Sequence, residues 1–318
     1  MKKSHKLIVG VDIGGSTFRA SAYRAGELKR EHPIAEASLR IEFESRPTSE
    51  FLLNLIAETI SSFEIKTNTQ VSHLGCGIAA WIDKTEEKII HSPHLECRGI
   101  HLKQQLQRQH PSIDFSVVND MSAIAVAEHL YGAGKHLKNI AVVFFGTGIG
   151  CGLILHGKLY EGKGLAGELG HVRFHSESKT KRLCPCGQTN CVEVYAGGQA
   201  ISKQVADHCN DKSSSNVVDA AFIDKAYKDG DVDCKNVLSV ATLAASQAIE
   251  HLAKTLDPEV IILGGGFFDH CDAYKRMLME KLPKAAMLPF QKTPNIVESK
   301  LGGQAGVLGA AALFGHFN

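Results

Sequence analysis

Leu7-Ile8-Val9-Gly10-Val11-Asp12-Ile13-Gly14-Gly15-Ser16-Thr17 is the stretch on which the fold turns. Its short, β-branched apolar run reads as a buried strand over Lys6–Asp12. The strand ends in a carboxylate, two glycines and two hydroxyls, and Phe18–Tyr23 then alternates as the next strand of a meander. Glycine lets a backbone turn tightly and approach a phosphate closely. The Ser16 and Thr17 hydroxyls and the loop N–H groups can bind phosphate oxygens, and Asp12 can hold Mg2+ directly or through water. The same residues also describe a plain hairpin turn with a polar strand end, and this motif alone does not separate the two readings.

Outward from this stretch, Phe51–Phe63 carries apolar residues at helical spacing, and His73–Ile78 reads as a strand running into Ala79-Ala80-Trp81. Leu102–His110 reads as a short helix, and Phe115–Val118 as a strand ending at Asn119-Asp120. A second cycle follows: a helix over Met121–Tyr131, a strand over Asn139–Phe145, the run Gly146-Thr147-Gly148-Ile149-Gly150, and a hairpin partner starting at Cys151–Leu155. Each half thus opens with an apolar strand, a small-residue turn and a second strand, a repeat of pattern and not of identity. Beyond residue 196 the chain is mostly helical. The exceptions are a strand over Val260–Leu263 and, directly after it, Gly264-Gly265-Gly266; a small-residue helix over Gly303–Phe314 ends the pattern. Strands alternating with helices indicate an α/β architecture. Neither of the first two loops is a P-loop, since no Gly-Lys-Ser/Thr follows, nor a dinucleotide fingerprint, since a strand and not a helix follows each. Three glycine turns at strand ends suggest one crevice between two domains. In that reading a nucleotide's phosphates lie on Gly14, Gly15, Ser16, Thr17, Gly146, Thr147 and Gly148, and its adenosine end on Gly264, Gly265 and Gly266.

The 318 residues suffice for two cores, and a net charge of +1 leaves no electrostatic footprint for nucleic acid or an anionic membrane. The apolar run Leu7–Val11 stops at Asp12, too short for a secretory core, and no run approaches the ~20 apolar residues of a membrane span. A cytoplasmic protein is expected. Nine cysteines, an odd number, argue against a disulfide framework. Cys184, Cys186 and Cys191, with His171 upstream, form a Cys3His set. Thiolates and imidazole suit tetrahedral Zn2+, and four protein ligands leave no open position, so a structural metal is expected. Glu168 precedes His171 by three residues and Glu193 follows Cys191 by two. A metal fixing the loop therefore fixes two carboxylates able to accept hydrogen bonds from a ligand's hydroxyls. Asp120, between an apolar strand and a helix, can serve as a base for a hydroxyl nucleophile while Mg2+ neutralises phosphates. Asn119 or Asp120 can equally cap the helix, and residue chemistry alone leaves the cap reading ahead.

Asp12–Ser16, Asn119-Asp120, Gly146–Gly150, Ala166-Gly167-Glu168-Leu169-Gly170-His171, the cysteine cluster with Glu193, and Leu256-Asp257-Pro258 leading into Leu263–Gly266 together resemble the ROK family of repressors, open reading frames and sugar kinases. The resemblance runs from near residue 7 to the end. It implies an α/β, two-domain actin-like (ribonuclease H-like) sugar kinase fold with an interdomain cleft. The expected domains are 1–118 plus 301–318, and 119–300 with the zinc loop. It implies ATP-dependent phosphorylation of a hexose hydroxyl, glucose or a close aldohexose favoured. Asp120 is then the base, Asn119, Glu168, His171 and Glu193 meet the sugar, and His171, Cys184, Cys186 and Cys191 hold zinc. N-acetylhexosamine and fructose kinases share these motifs. Sugar-responsive repressors of the family carry a DNA-binding segment before the first loop, where this sequence has only Met1–Lys6, and a sugar-binding protein without catalysis is the third alternative. A homodimer is expected by analogy. Three positions depart from the family pattern: Ala79-Ala80-Trp81 replaces a Pro-Gly, His94 replaces an Asn, and Asn190 replaces the glycine before the third cysteine. Asn tolerates a left-handed backbone, so the cysteine loop is expected to survive. The first two departures leave the kinase machinery better supported than any one sugar. Trp81 is expected in the core.

Overall fold

The computed structural model describes residues 6–25, 27–28, 33–175, 181–208, 218–285 and 295–316. The chain forms two compact units, one of residues 1–138, 152–166 and 300–318, the other of 139–151 and 167–299. No helix among the described residues is long and apolar enough to cross a membrane.

The first unit begins with an antiparallel meander, β1 (Leu7–Ile13), β2 (Thr17–Arg24) and β3 (Ser38–Glu42). Helix α1 (Ser49–Thr67) follows; the Thr48 side chain caps it by accepting from Phe51 N, and Asn68, in the left-handed region, ends it. Strand β4 (Val71–Ile78) then pairs parallel to β1, and a hairpin of β5 (Trp81–Asp83) and β6 (Lys88–His91) follows. Helix α2 (Leu102–Gln109) leads to β7 (Asp114–Asn119), parallel to β4, and to α3 (Asp120–Leu130). The sheet order is β3-β2-β1-β4-β7. Val9, Val11 and Ile13 of β1 are buried with Leu74 and Ile78 of β4 and with Leu52, Ile56 and Phe63, the apolar stripe of α1. Trp81 is not in this core. It is half-buried on the β5–β6 hairpin, with its ring tilted against His91 at a centroid distance of 5.5 Å, because the hairpin is a two-stranded sheet of its own.

The second sheet has the order β10-β9-β8-β11-β12. Its strands are β8 (Ile140–Phe145), β9 (Ile149–Leu155), β10 (Lys158–Leu159), β11 (Val260–Gly264) and β12 (Asn295–Glu298). Between β10 and β11 lie a short turn of 3-10 helix over Leu169–His171, α4 (Glu193–Ala196), α5 (Gly198–His208), α6 (Ala220–Lys228) and α7 (Val232–Leu256). α8 (Gly266–His270) and α9 (Asp272–Ala285) separate β11 from β12. Strand β8 is buried almost end to end, the mark of a strand covered on both faces, and β11 pairs parallel to it.

The last helix, α10 (Ala305–His316), belongs to the first unit and lies directly on β1, β4 and α3. A Cβ on Gly10 would stand 2.0 Å from Val307 O, and one on Gly75 1.8 Å from Ala310 O. These two strand glycines let the helix backbone approach the sheet. The expected domain boundary at 118/119 differs from the observed division, which keeps 119–138 and 152–166 with the first unit. The reason is packing: α3 lies against α10 so closely that a Cβ on Gly309 would meet Ala123 O at 1.7 Å.

Candidate active site

In the first unit, Asp12 comes near the end of β1 and Asn119-Asp120 at the end of β7, with β4 between them. The register pairs Asp12 with Gly77, and Ile78 with Asn119. Two strand spacings put the two ends about 10 Å apart, at the carboxyl edge where open α/β sheets bind ligands. Burial pushes the Asp12 carboxyl above its ordinary range, and Arg19 Nη1, 3.5 Å away, pulls it partly back. Gly306 of α10 leaves the space that the Asp12 carboxyl occupies; a Cβ there would lie 2.7 Å from its Cγ. Gly14 N donates to Thr17 O at 2.9 Å, closing the turn between β1 and β2, and Ser16 is exposed at its tip. Gly15 has no side chain because His94 is in the way: a Cβ would meet His94 Cβ at 2.7 Å.

The cap and base readings of Asn119-Asp120 are compatible. Asn119 Oδ1 accepts from Met121 N at 2.9 Å and so caps α3, while Asp120 Oδ1 accepts from the same N–H at 2.9 Å. Asn119 Nδ2 donates to Ala80 O at 3.2 Å. Ser92 Oγ donates to Ala79 O at 2.7 Å and accepts from the N–H groups of His94 and Leu95. The departures at Ala79-Ala80 and His94 are therefore wired to each other and to Asn119.

In the second unit, Gly146–Gly148 joins β8 to β9, with Gly146 N donating to Gly148 O at 3.0 Å. Gly198 N donates to Gly146 O and Gln199 N to Thr147 O, each at 3.0 Å. The Gly197-Gly198 pair at the start of α5 thus clasps the loop, and sequence reading missed it; the available signal was a second glycine pair directly before a helix. Gly198 also packs on Phe267, which brings the third glycine run to the same place. Those three glycines have different reasons. Gly264 yields to the Phe144 ring, and Gly265, at φ +105°, lies against the backbone of Phe145. Gly266, like Gly146, has nothing within 4 Å of its Cβ position. Within the Gly146–Gly150 and Gly264–Gly266 runs, Gly146 and Gly266 are therefore the positions where the missing side chain leaves open space.

Four donors from this unit converge: His171, Cys184, Cys186 and Cys191 each offer an atom within 4.8 Å of the others. His171 Nδ1 is 3.6 Å from Cys184 Sγ, and Cys186 Sγ is 3.6 Å from Cys191 Sγ. A tetrahedron with metal–sulfur bonds of 2.3 Å has edges of about 3.8 Å, so the donor set fits one Zn2+. Burial raises the thiols of Cys184 and Cys191 above their ordinary range, a cost that a bound cation offsets. Asn190 takes φ +59°, as its position before the third cysteine demands, and its Oδ1 accepts from Arg182 N and Tyr195 OH. His171 Nε2 lies 3.7 Å from Glu168 Oε2, so the carboxylate stands behind the imidazole on the side away from the thiols. Glu193 Oε2 accepts from Ile149 N at 3.0 Å, which places this carboxylate against the glycine loop.

Comparison with known proteins agrees with this architecture. The glucokinase of Thermotoga maritima is 28% identical over 317 residues, covering 96% of each chain. The N-acetyl-D-glucosamine kinase of Aliivibrio salmonicida is also 28% identical, over 96% of this chain and 99% of its own. The crystal structure of a ROK family glucokinase from Streptomyces griseus, in complex with glucose and AMPPNP, superposes with a TM-score of 0.80 at 26% identity, covering 96% of this chain and 98% of that one. The sequence profile of the ROK family matches residues 8–316, and the chain belongs to the ROK family.

Proposed function

We propose that this chain is an ATP-dependent hexose kinase, with Asp120 as the base that takes the proton of the attacking sugar hydroxyl. The observation that carries the reading is the pair of aspartates, Asp12 and Asp120, at the carboxyl ends of two parallel strands flanking β4. A sugar hydroxyl is a poor nucleophile until it is positioned and relieved of its proton. Asp120 accepts that proton as the hydroxyl oxygen bonds the γ-phosphorus, the bond to the bridging oxygen breaks, and ADP leaves. Asn119, held through Ala80 O and the helix cap, orients a neighbouring hydroxyl. Glu168, His171 and Glu193 supply further contacts to sugar hydroxyls. The phosphates lie against Gly14–Thr17 and Gly146–Gly148, and the adenosine passes over Gly266. Mg2+ entering with ATP, near Asp12, supplies charge neutralisation at the phosphates. Zn2+ held by His171, Cys184, Cys186 and Cys191 supplies no chemistry; with four protein ligands it stabilises the loop that carries the two glutamates.

Glucose is the favoured acceptor, supported by the glucokinase relatives. The N-acetylglucosamine kinase is as similar as the Thermotoga glucokinase, and the Ala79-Ala80 and His94 segment is the chain's own. The test is ADP release with Mg·ATP on glucose, mannose, fructose, allose, N-acetylglucosamine and N-acetylmannosamine. Turnover on one sugar establishes the kinase and its acceptor. Sugar and nucleotide binding without turnover on any member would turn the reading to a sugar-responsive binding protein.

A further inference from the structure

The Glu193 carboxylate is bonded to the backbone at the end of the glycine loop. It opens α4, two residues after Cys191, and Val192 N is bonded to Val172 O at 2.9 Å, so its starting point is fixed by the cysteine loop. Its Oε2 accepts from Ile149 N at 3.0 Å. Two glycines are shaped around that oxygen: a Cβ on Gly148 would lie 2.3 Å from Oε2, and one on Gly170 3.3 Å from it. The backbone of the same residue takes part as well, since Gly197 N donates to Glu193 O at 2.9 Å, and Gly198 and Gln199 then bond Gly146 O and Thr147 O. The loop Gly146–Ile149 is thus held from one side by the Glu193 side chain and from the other by the turn that follows Glu193.

A carboxylate beside a loop that receives a polyanionic nucleotide raises the electrostatic cost of binding that nucleotide. A hydrogen bond from a backbone N–H to an ionised carboxylate is among the stronger ones, and it fixes geometry. The arrangement makes sense where the loop's shape is worth more than the repulsion. We infer that Glu193 is a positioning residue for the phosphate loop, one oxygen being committed to Ile149 N–H, so that nucleotide affinity depends on this side chain even when no sugar is present. The inference rests on the kinase reading above and adds a nucleotide-side role to a residue assigned there to the sugar.

The test is AMPPNP binding by calorimetry, with Mg2+ and without sugar, on the zinc-loaded full chain. Loss of one charge-assisted hydrogen bond corresponds to roughly ten- to hundredfold weaker binding, which is expected for Glu193→Ala. Glu193→Gln keeps an amide oxygen for Ile149 N–H and is expected to stay within about threefold of the wild type. Gly148→Ala, whose Cβ displaces the carboxylate but also stands in the phosphate loop, is expected to lose affinity at least as much as Glu193→Ala, at unchanged zinc content. An unchanged nucleotide affinity in Glu193→Ala, with only the sugar KM raised, overturns the inference. If Glu193→Ala does not fold, unchanged affinity in Gly148→Ala overturns it instead. Failure of the kinase reading shows separately, as a wild-type protein that binds no AMPPNP, and removes both.

Discussion

Asp12 and Asp120 stand at the ends of two strands of one sheet, yet their surroundings assign them different work. Asp120 opens α3, where the first-turn N–H groups favour a negative charge, and its Oδ1 is bonded to Met121 N. That fixes the direction of the carboxylate, which suits the base role proposed for it. Asp120→Asn retains the helix start and the shape but cannot take a proton. Turnover is expected to fall by about 10²–10⁴, with sugar affinity by calorimetry within a few fold; near wild-type turnover would remove Asp120 from its role. Asp12 is instead largely desolvated, with its carboxyl raised above 3.8 despite Arg19. A raised carboxyl means that the folded state holds the proton more tightly than the unfolded one. Stability from the protonated form is present below the ordinary carboxylate pKa and is lost as pH rises through the raised value. Asp12→Asn carries no such loss. It is expected to melt above the wild type at pH 7 in Mg-free buffer, by about 2–4 °C for each ~1 kcal/mol recovered, and the gap should close as pH falls toward 4. The same variant should lose turnover, since the phosphate-side carboxylate is gone. A melting point at or below the wild type at pH 7 would show that the Arg19 pair outweighs the burial.

Among the elements, the ones legible in the sequence are those whose signal is local. β1, β7, β8 and β11 are apolar runs that end in turn residues, and the structure finds them within a residue or two of their expected ends. β3, the β5–β6 hairpin and β12 are short and half-exposed, so they carry neither clean alternation nor a buried run, and sequence reading passed over them. The site divides in the same way. The Cys3His set is legible because metal ligands need a particular donor chemistry, and the structure gathers all four. The separate reasons for Gly264, Gly265 and Gly266 are not legible, because they depend on Phe144, Phe145 and open space brought in by the fold. The cysteine loop yields a prediction at this scale. Cys186→Ser leaves three donors, so bound zinc measured by elemental analysis should fall from about one per chain to a small fraction. The loop's amide protons over residues 182–193 should then exchange faster. Full zinc retention in Cys186→Ser would exclude Cys186 as a ligand. The contact of α10 with β4 yields another. Gly75→Ala places a Cβ 1.8 Å from Ala310 O, a backbone atom that cannot rotate away. A destabilisation of at least the usual 1–3 kcal/mol of overpacking is expected in urea titrations.

At the scale of the whole molecule, the chain enters the first unit three times, as residues 1–138, 152–166 and 300–318. No local pattern announces that route, because it depends on which distant segments share a core. The last visit is the most telling. α10 has its residues Val307, Leu308 and Ala310–Leu313 buried, so it behaves as an internal layer and not as a surface appendage. It covers the faces of β1 and β4 at Gly10 and Gly75 and the face of α3 at Ala123. The second unit takes none of its own residues from beyond Ser299. Ending the chain after Ser299 should therefore act unequally on the two units. The first unit loses a core layer, and hydrogen exchange in β1, β4 and α3 should accelerate by orders of magnitude, with early protease cuts in the same segments. The second unit keeps its sheet strands β8, β11 and β12 and all four candidate metal donors, so its residues 139–151 and 167–299 should stay protected from exchange and retain zinc. Turnover should vanish, since Asp12 and Asp120 both belong to the unit that is lost. Equal protection of β1 and β4 in the truncated and full chains would show that α10 is dispensable to the first core. Loss of zinc together with β1 protection would show instead that the two units do not hold their cores independently.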